Sequence, residues 1–409
     1  MILTKCQEVA MQMVNRLVSK EGYCMSVLAG FAGSGKTHLI KLIAETYGVP
    51  NVVCPTGKAA QRVKECTGIG ATTVHRWMYK YLQNPKTGEG VFVLKTLEEL
   101  SLGTSKLLIV DESSMIDKRV WNDIEETARS LGIKVLCVGD PFQLPPVDEE
   151  SANFCLLDPD MGLASEYVLL DEIVRQALDS PIIRASMLVR EGDVMGAMAI
   201  LPKVSPVEVL SVAGRTSVAG GAILCHRNAT RFTLNEKIRA FRGFEGDIQP
   251  GEPIMVTKNN YQLFTFNGEI YPFLEWDDLT TTKHKVYDRW TKATEKTRFG
   301  IGRMKHDVGG DFAAVLAEEE LFGRLKSNPL SVEKAADVYY TKQPFVHANL
   351  GYVMTAWKAQ GSEWDDVFVI LEPTIRFWGD QRDLALRFFY TSITRAKKTC
   401  TVSLGMRLT

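Results

Sequence analysis

The run Gly30-Phe31-Ala32-Gly33-Ser34-Gly35-Lys36-Thr37 has the spacing GxxxxGK[ST]. Its glycines let backbone N–H groups turn inward around phosphate oxygens, and a helix opening at its end adds a favourable dipole. Lys36 at that place reaches the β- and γ-phosphates of a nucleoside triphosphate, and Thr37 offers its hydroxyl to Mg²⁺. Further on, the apolar run LLIV ends at Asp111-Glu112. Ligands of open α/β sheets bind at the carboxyl ends of strands, where this pair would lie. Asp111 would then hold Mg²⁺ through water, and Glu112 would orient and polarise the attacking water. Taken alone, the pair reads equally well as a solvated strand end. A third apolar run, KVLCV, ends at Gly139-Asp140, with Gln143 in the Pro-rich loop beyond. A glutamine there can touch both the γ-phosphate and the water; without the other two motifs it is an incidental loop residue.

Positioning these groups takes a sheet. CMSVLAG, PNVVCP, KLLIVDE and IKVLCVGD read as strands buried on both faces, with helical patterns such as KTHLIKLIAETYG between them. Strand–helix alternation of this kind predicts an α/β fold with a parallel sheet covered by helices. Residues 79–105 break the rhythm: NPKTGEG is turn chemistry followed by VFVL, which predicts a β-hairpin insertion. After about Leu170 the pattern restarts, with GGAILCHRN, WDDVFVIL and TCTVSL as strands. Residues 259–347 are richer in charge and threonine and weakly periodic, which predicts a small separate module.

Composition narrows the class. The chain has 409 residues, 45% hydrophobic and 24% charged, enough for two to four domains with sizeable cores. Its net charge is -1, so a nucleic-acid site would have to be a local groove rather than a general basic surface. The eight cysteines are scattered without a CxxC or Cys/His cluster, which predicts neither a zinc site nor a disulfide framework and suits a reducing cytosol. No basic leader and no run of about 18 apolar residues occurs, so no membrane association is expected.

Taken in order, the motifs resemble those of superfamily 1 helicases, in the 5′-to-3′ branch of RecD-like and Dda-like proteins. The resemblance runs through nearly the whole chain. Leu3-Thr4 and Gln7 resemble the adenine-reading Q motif, PTGKAA (55–60) motif Ia and ATTVHRW (71–77) motif Ib. DESSM and GDPFQLPPV resemble motifs II and III, and LDEIVRQ (170–176) motif IV. TAWKAQGSEWDDV (355–367) resembles motif V and YTSITRAKK (390–398) motif VI. The family likeness implies two RecA-like parallel-sheet lobes with ATP hydrolysed between them. Residues 1–175 would form the first, with 79–105 as a strand-separating pin. Residues 176–258 and 348–409 would form the second, and 259–347 an SH3-like insertion.

The implied activity is ATP-dependent, 5′-to-3′ translocation on single-stranded DNA with separation of duplex strands, using ATP and Mg²⁺. By likeness, Lys36, Asp111, Glu112, Gln143, Arg175 and Arg395 are catalytic, the two arginines reaching the γ-phosphate, whose spreading charge guanidinium stabilises. Gln7, Gly33, Gly35, Lys36, Thr37 and Glu363 would hold the nucleotide, and Thr37 and Asp111 the metal. Pro55, Thr56 and Lys58, Thr73 and His75, and Thr355 and Lys358 would touch DNA. Phe92 on the hairpin is placed for the fork. His226 and Asn228 occupy a strand end where relatives touch DNA, although His226 reads equally as a structural histidine. Trp357 stands where the family has His; it can stack on a base, worth about 1–3 kcal/mol, or be buried between helices. The expected partners are single-stranded and fork DNA, with single-strand-binding or replication proteins. The expected state is a monomer in the cytoplasm of a bacterium or phage-infected cell. A translocase that does not unwind and an RNA-acting helicase remain alternatives. A P-loop switch without nucleic acid is a third, against which motifs Ia and V and the two arginines count.

Overall fold

The computed structural model describes residues 3–48, 50–83, 90–100, 106–146, 154–174, 179–260, 262–263, 265–288, 291–305, 310–340 and 343–403. The first helix, α1 (Lys5–Ser19), begins with a reciprocal cap. Gln7 N–H donates to Thr4 Oγ1 at 3.3 Å and Thr4 N–H to Gln7 Oε1 at 3.1 Å, satisfying two otherwise orphaned donors. Its residues Ala10, Met13, Val14 and Leu17, spaced for one helical face, are buried.

Next come β1 (Cys24–Gly30), α2 (Lys36–Tyr47), β2 (Asn51–Cys54), α3 (Gly57–Thr67), β3 (Ala71–Thr73) and α4 (Val74–Met78). The hairpin β4 (Tyr79–Gln83) and β5 (Gly90–Leu94) follows, then β6 (Leu107–Val110), α5 (Lys118–Leu131), β7 (Lys134–Gly139) and β8 (Glu166–Leu170). The sheet has the order β3-β2-β6-β7-β1-β8, and every pairing in it is parallel. Its strands feed two apolar cores alternately. Val27, Leu108, Val110, Val135 and Cys137 enter one, while Leu28, Leu107, Ile109, Leu136 and Val138 enter the other. That two-sided burial is why these strands read as continuous apolar runs rather than alternating ones. The strands β4 and β5 pair antiparallel from Tyr79↔Leu94 to Gln83↔Gly90, so the expected hairpin is present.

The helices α6 (Pro181–Glu191) and α7 (Val194–Ile200) precede β9 (Lys203–Val204), α8 (Val209–Val218), β10 (Ala222–Cys225) and α9 (Asn228–Phe241). Then follow β11 (Pro253–Val256), β12 (Ile270–Leu279), β13 (His284–Tyr287), β14 (Thr294–Thr297), β15 (Phe299–Met304) and β16 (Phe312–Ala317). The chain closes with α10 (Glu318–Leu321), α11 (Pro329–Asp337), β17 (Ala348–Leu350), β18 (Met354–Thr355), α12 (Ala356–Ala359), β19 (Trp364–Val369), α13 (Arg382–Ile393) and β20 (Ala396–Ser403). A second sheet has the order β18-β10-β19-β20-β9, with β10 parallel to both neighbours and β20 parallel to β9. A third, β16-β15-β12-β11-β17, is antiparallel throughout.

Two compact units result: Met1–Pro202 with Gln360–Asp365 and Arg376–Cys400, and Lys203–Ala359 with Asp366–Ile375 and Thr401–Thr409. This differs from the expected boundaries in two ways. The first unit extends past 175 and takes in the whole of 376–400, because α13 packs on α6 and is hydrogen-bonded to the loop after β7. Residues 259–347 do not stand apart, because β12, β15 and β16 share a sheet with β11 and β17 on either side of that range, while β13 and β14 pair separately. No helix among the described residues is long and apolar enough to cross a membrane.

Candidate functional site

The loop between β1 and α2 carries the glycine motif. Gly33 and Gly35 have φ of 79° and 86°, the left-handed region that side chains avoid. At Gly35 a Cβ would also fall 2.6 Å from Gln7 Nε2, so this position has room for hydrogen only. Gln7 is buried and donates through Nε2 to Ser34 O at 3.0 Å. Its amide thus ties the first helix to the phosphate loop; the Q-motif residue is placed beside the loop, with both ends of its amide in use. Lys36 Nζ donates to Gly30 O at 2.7 Å and Phe31 O at 3.1 Å. Lys36, Thr37, Gly33 and Gly35 line a cleft of about 400 Å³.

The acidic pair faces the same cleft. Asp111 follows β6, its N–H donating to Val53 O at 2.9 Å. Glu112 has φ 51° and ψ 38°, a left-handed conformation that costs a non-glycine residue about 1–3 kcal/mol. Burial, and then the neighbouring Glu112 charge, push the Asp111 carboxyl up to about 7, against the pull of Lys36 and Arg62. Glu112 Oε2 and Gln143 Oε1 are buried acceptors with no hydrogen-bond partner. Such orphans are costly unless a donor arrives. Carboxylate, hydroxyl and amide oxygens on one cleft form the hard oxygen set that a partly hydrated Mg²⁺ with a triphosphate requires.

Residues far along the chain complete the cleft. Arg395, 3% exposed, donates from Nε to Thr391 O at 3.1 Å, from Nη1 to Ser362 O at 3.4 Å and from Nη2 to Thr394 Oγ1 at 3.2 Å, and it lines the cleft with Lys36. It therefore lies in the same compact unit as the P-loop, not in the other one as the expected boundaries had it. Glu363 also lines the cleft and is ion-paired to Arg62 at 2.6 Å; Arg62 is 4.0 Å from Glu112 as well. Sequence reasoning passed over Arg62 and gave no role to Asp140 and Tyr390, though both stand in the motifs it identified. Arg62 had a signal, since its spacing from Ala59 and Val63 puts a half-buried arginine beside the buried positions of α3. Arg175 lies outside the described residues.

The candidate DNA contacts divide between the two units. In the first, Pro55 is half-buried after β2. Thr56 and Thr73 are helix caps, accepting from Ala59 N–H at 3.2 Å and Arg76 N–H at 3.1 Å. Lys58 Nζ lies over the Trp364 ring, 5.4 Å from its centroid. The His75 ring is 5.3 Å from that of Tyr79, and burial lowers its pKa. Phe92 pairs through its backbone with Tyr81, while its side chain lies outside the described atoms. In the second unit the half-buried Trp357 ring is 5.3 Å from His226. The N–H groups of His226 and Arg227 both donate to Glu372 Oε1 at 3.0 Å, and Arg227 Nε donates to Oε2 at 2.9 Å, which fixes this strand end. Asn228 opens α9 and is exposed, and Thr355 is buried. Lys358 Nζ donates to Asn267 Oδ1 at 2.6 Å; burial and the Arg231 charge push its pKa down to about 8.

A glycine-rich turn cradling a lysine, with an acidic pair at the end of a nearby strand of a parallel sheet, defines a P-loop nucleotide-binding protein. A family model described as an AAA domain matches residues 5–210, just over half of the chain, and the chain belongs to that family. A second model, the UvrD-like helicase C-terminal domain, matches residues 350–403. The chain is 29% identical over 399 residues to the ATP-dependent RecD2 DNA helicase of Deinococcus radiodurans, a match covering 92% of this chain and 46% of that protein. It is 27% identical over 437 residues to the RecBCD enzyme subunit RecD of Mycolicibacterium smegmatis, covering 91% and 67%. The chain thus spans about half the length of the first of these relatives. Among solved structures, a Pif1 helicase from Bacteroides in complex with ADP-AlF3 and ssDNA has a TM-score of 0.53 at 18% identity, covering 98% of this chain and 92% of that one. The expected resemblance to the RecD branch of superfamily 1 is borne out, as is the fold of two RecA-like parallel sheets.

Proposed function

We propose that this chain is an ATP-dependent DNA helicase that moves 5′-to-3′ along a single strand and separates the duplex ahead of it. The observation that carries this reading is the single cleft lined by Lys36, Asp111, Glu112, Gln143 and Arg395. Lys36 and the P-loop N–H groups bind the phosphates. Thr37 and Asp111 would hold Mg²⁺, which would neutralise phosphate charge. Glu112 accepts the proton of the attacking water, Gln143 orients that water, and Arg395 stabilises the charge that spreads over the γ-oxygens. Of the proposed strand contacts, Lys58 in the first unit and Lys358 in the second each supply positive charge, and within the second unit Trp357 with His226 forms an aromatic pair suited to an unpaired base. DNA is the substrate named for the RecD2 relative and for the bound Pif1 structure, which supports DNA over RNA here. The 5′-to-3′ direction rests on the branch likeness, and the β4–β5 hairpin is placed in the sequence where that branch carries its pin.

The test is ATP-dependent unwinding of two partial duplexes, one with a 5′ tail and one with a 3′ tail, with Lys36→Ala as the control. Opening of the 5′-tailed duplex alone, lost in the control, is the expected result. Opening of the 3′-tailed one alone overturns the polarity. No opening, with ATP hydrolysis still stimulated by single strands, leaves a translocase.

A further inference from the structure

Tyr390, on α13, is 0% exposed, and the mechanism above leaves it unused. Its hydroxyl accepts from the P-loop Ala32 N–H at 2.9 Å and donates to Asp140 Oδ2 at 2.6 Å. Asp140, also 0% exposed, accepts through Oδ1 from Phe142 N–H at 3.0 Å. A phenol has one proton and a backbone amide can only donate. The chain of donors therefore runs one way, from Ala32 through Tyr390 to Asp140.

The loop from Asp140 to Leu144, which carries Gln143, is held by the same helix. Arg387 Nη1 donates to Pro141 O at 2.7 Å and Gln143 O at 3.2 Å. Leu144 N–H donates to Thr391 Oγ1 at 3.0 Å, and Gln360 Nε2 donates to Leu144 O at 2.8 Å. The Phe142 ring meets Tyr390 edge-on at 5.2 Å. Arg395, four residues beyond Thr391, hydrogen-bonds back to the Thr391 carbonyl at 3.1 Å. Gln143 and Arg395 are thus mounted on one hydrogen-bonded body, which Tyr390 fastens to the turn that cradles the phosphates.

We propose that Tyr390 is a positioning residue for phosphoryl transfer, setting Gln143 and Arg395 relative to the P-loop through its paired bonds to Ala32 and Asp140. It rests on the nucleotide reading of the cleft. Arrival of phosphates among the P-loop N–H groups alters the Ala32 end of this link, and the Asp140 end passes that change to the loop and helix that complete the cleft.

The test uses the full chain carrying Tyr390→Phe, Asp140→Asn, or both. ATP hydrolysis is followed with and without a single-stranded oligonucleotide, and affinity is measured with a fluorescent ADP analogue. Loss of positioning predicts a fall in kcat of about tenfold or more in Tyr390→Phe, with ADP affinity within about threefold of wild type. The double variant should be no worse than the more impaired single one, because both substitutions cut the same link. Should Tyr390→Phe fail to fold, the kcat against affinity split in Asp140→Asn decides alone. A kcat unchanged within about twofold, or losses that multiply as independent ones do, overturns the link. A wild-type chain that does not hydrolyse ATP overturns the nucleotide reading with it, whereas wild-type hydrolysis beside an unimpaired Tyr390→Phe overturns this inference alone.

Discussion

Gln7 shows how a residue assigned by family likeness to ligand binding also carries structure. Its side chain closes the cap of α1 and holds Ser34 O, and its Nε2 lies 2.6 Å from where a Cβ on Gly35 would fall. Replacing it with alanine leaves Ser34 O and Thr4 N–H without partners. Gln7→Ala should cost about 1–3 kcal/mol of stability and weaken ADP binding together, read by thermal melts and nucleotide titration. Weakened binding with an unshifted Tm would show that the glutamine acts on the base alone. At this scale the sequence was most legible where chemistry dictates both residue type and spacing, as in Gly30–Thr37 and Asp111-Glu112. Tyr390 was illegible because its partner Asp140 lies 250 positions away, and only the fold brings a tyrosine from an apolar helix to a strand end. The left-handed Glu112 was likewise unforeseeable, since nothing in DESSM marks a carboxylate held in a strained turn.

Among the elements, the parallel strands were read correctly because burial on both faces writes an uninterrupted apolar run. The antiparallel sheet of the 259–347 region was not, for a reason visible in β12. Its pairing with β15 shifts register between Phe273 and Glu275 and again between Trp276 and Asp278, so alternation along the strand is broken twice. Around this sheet α10, α11 and the approach to β17 bring a charge cluster together. His347 Nδ1 is 2.9 Å from Glu320 Oε1, and Nε2 stands 3.8 Å from Glu333 Oε2, an ion-pair distance. Burial alone would lower the His347 pKa, but the two carboxylates outweigh it and push it up to about 9. A histidine raised from about 6.5 contributes stability that is complete below that pH and lost as pH rises through about 9. Chemical denaturation of the second unit at pH 6, 7.5 and 9 should show that decline, and His347→Gln should flatten it. An unchanged slope in the variant would assign the dependence to other groups.

For the molecule as a whole, the first unit is discontinuous: Gln360–Asp365 and Arg376–Cys400 return to a body begun by Met1–Pro202. Sequence order suggested a first lobe ending near residue 175, where strand–helix alternation restarts, and a second lobe carrying 259–347 as an insertion. What it could not show is that α13 spends its polar side chains on the loop after β7. A chain stopped after residue 359 keeps every residue of the glycine motif and the acidic pair. It should nonetheless bind ADP at least about tenfold more weakly, since Ala32, Asp140 and Leu144 lose the partners that hold their loops. Wild-type affinity in that fragment would show that the P-loop folds its site alone.

That return of α13 sets an order of events during synthesis. The ribosome releases the phosphate loop early and Arg395 some 358 codons after Thr37. At roughly 5–20 residues per second the interval is about 20–70 seconds. Within it the phosphate-loop Ala32 N–H awaits Tyr390, and Asp140 and Leu144 N–H, once made, await Tyr390 and Thr391. On the function proposed above, the cleft is completed by elongation itself, and only after Lys358, the last of the proposed strand contacts, has been made.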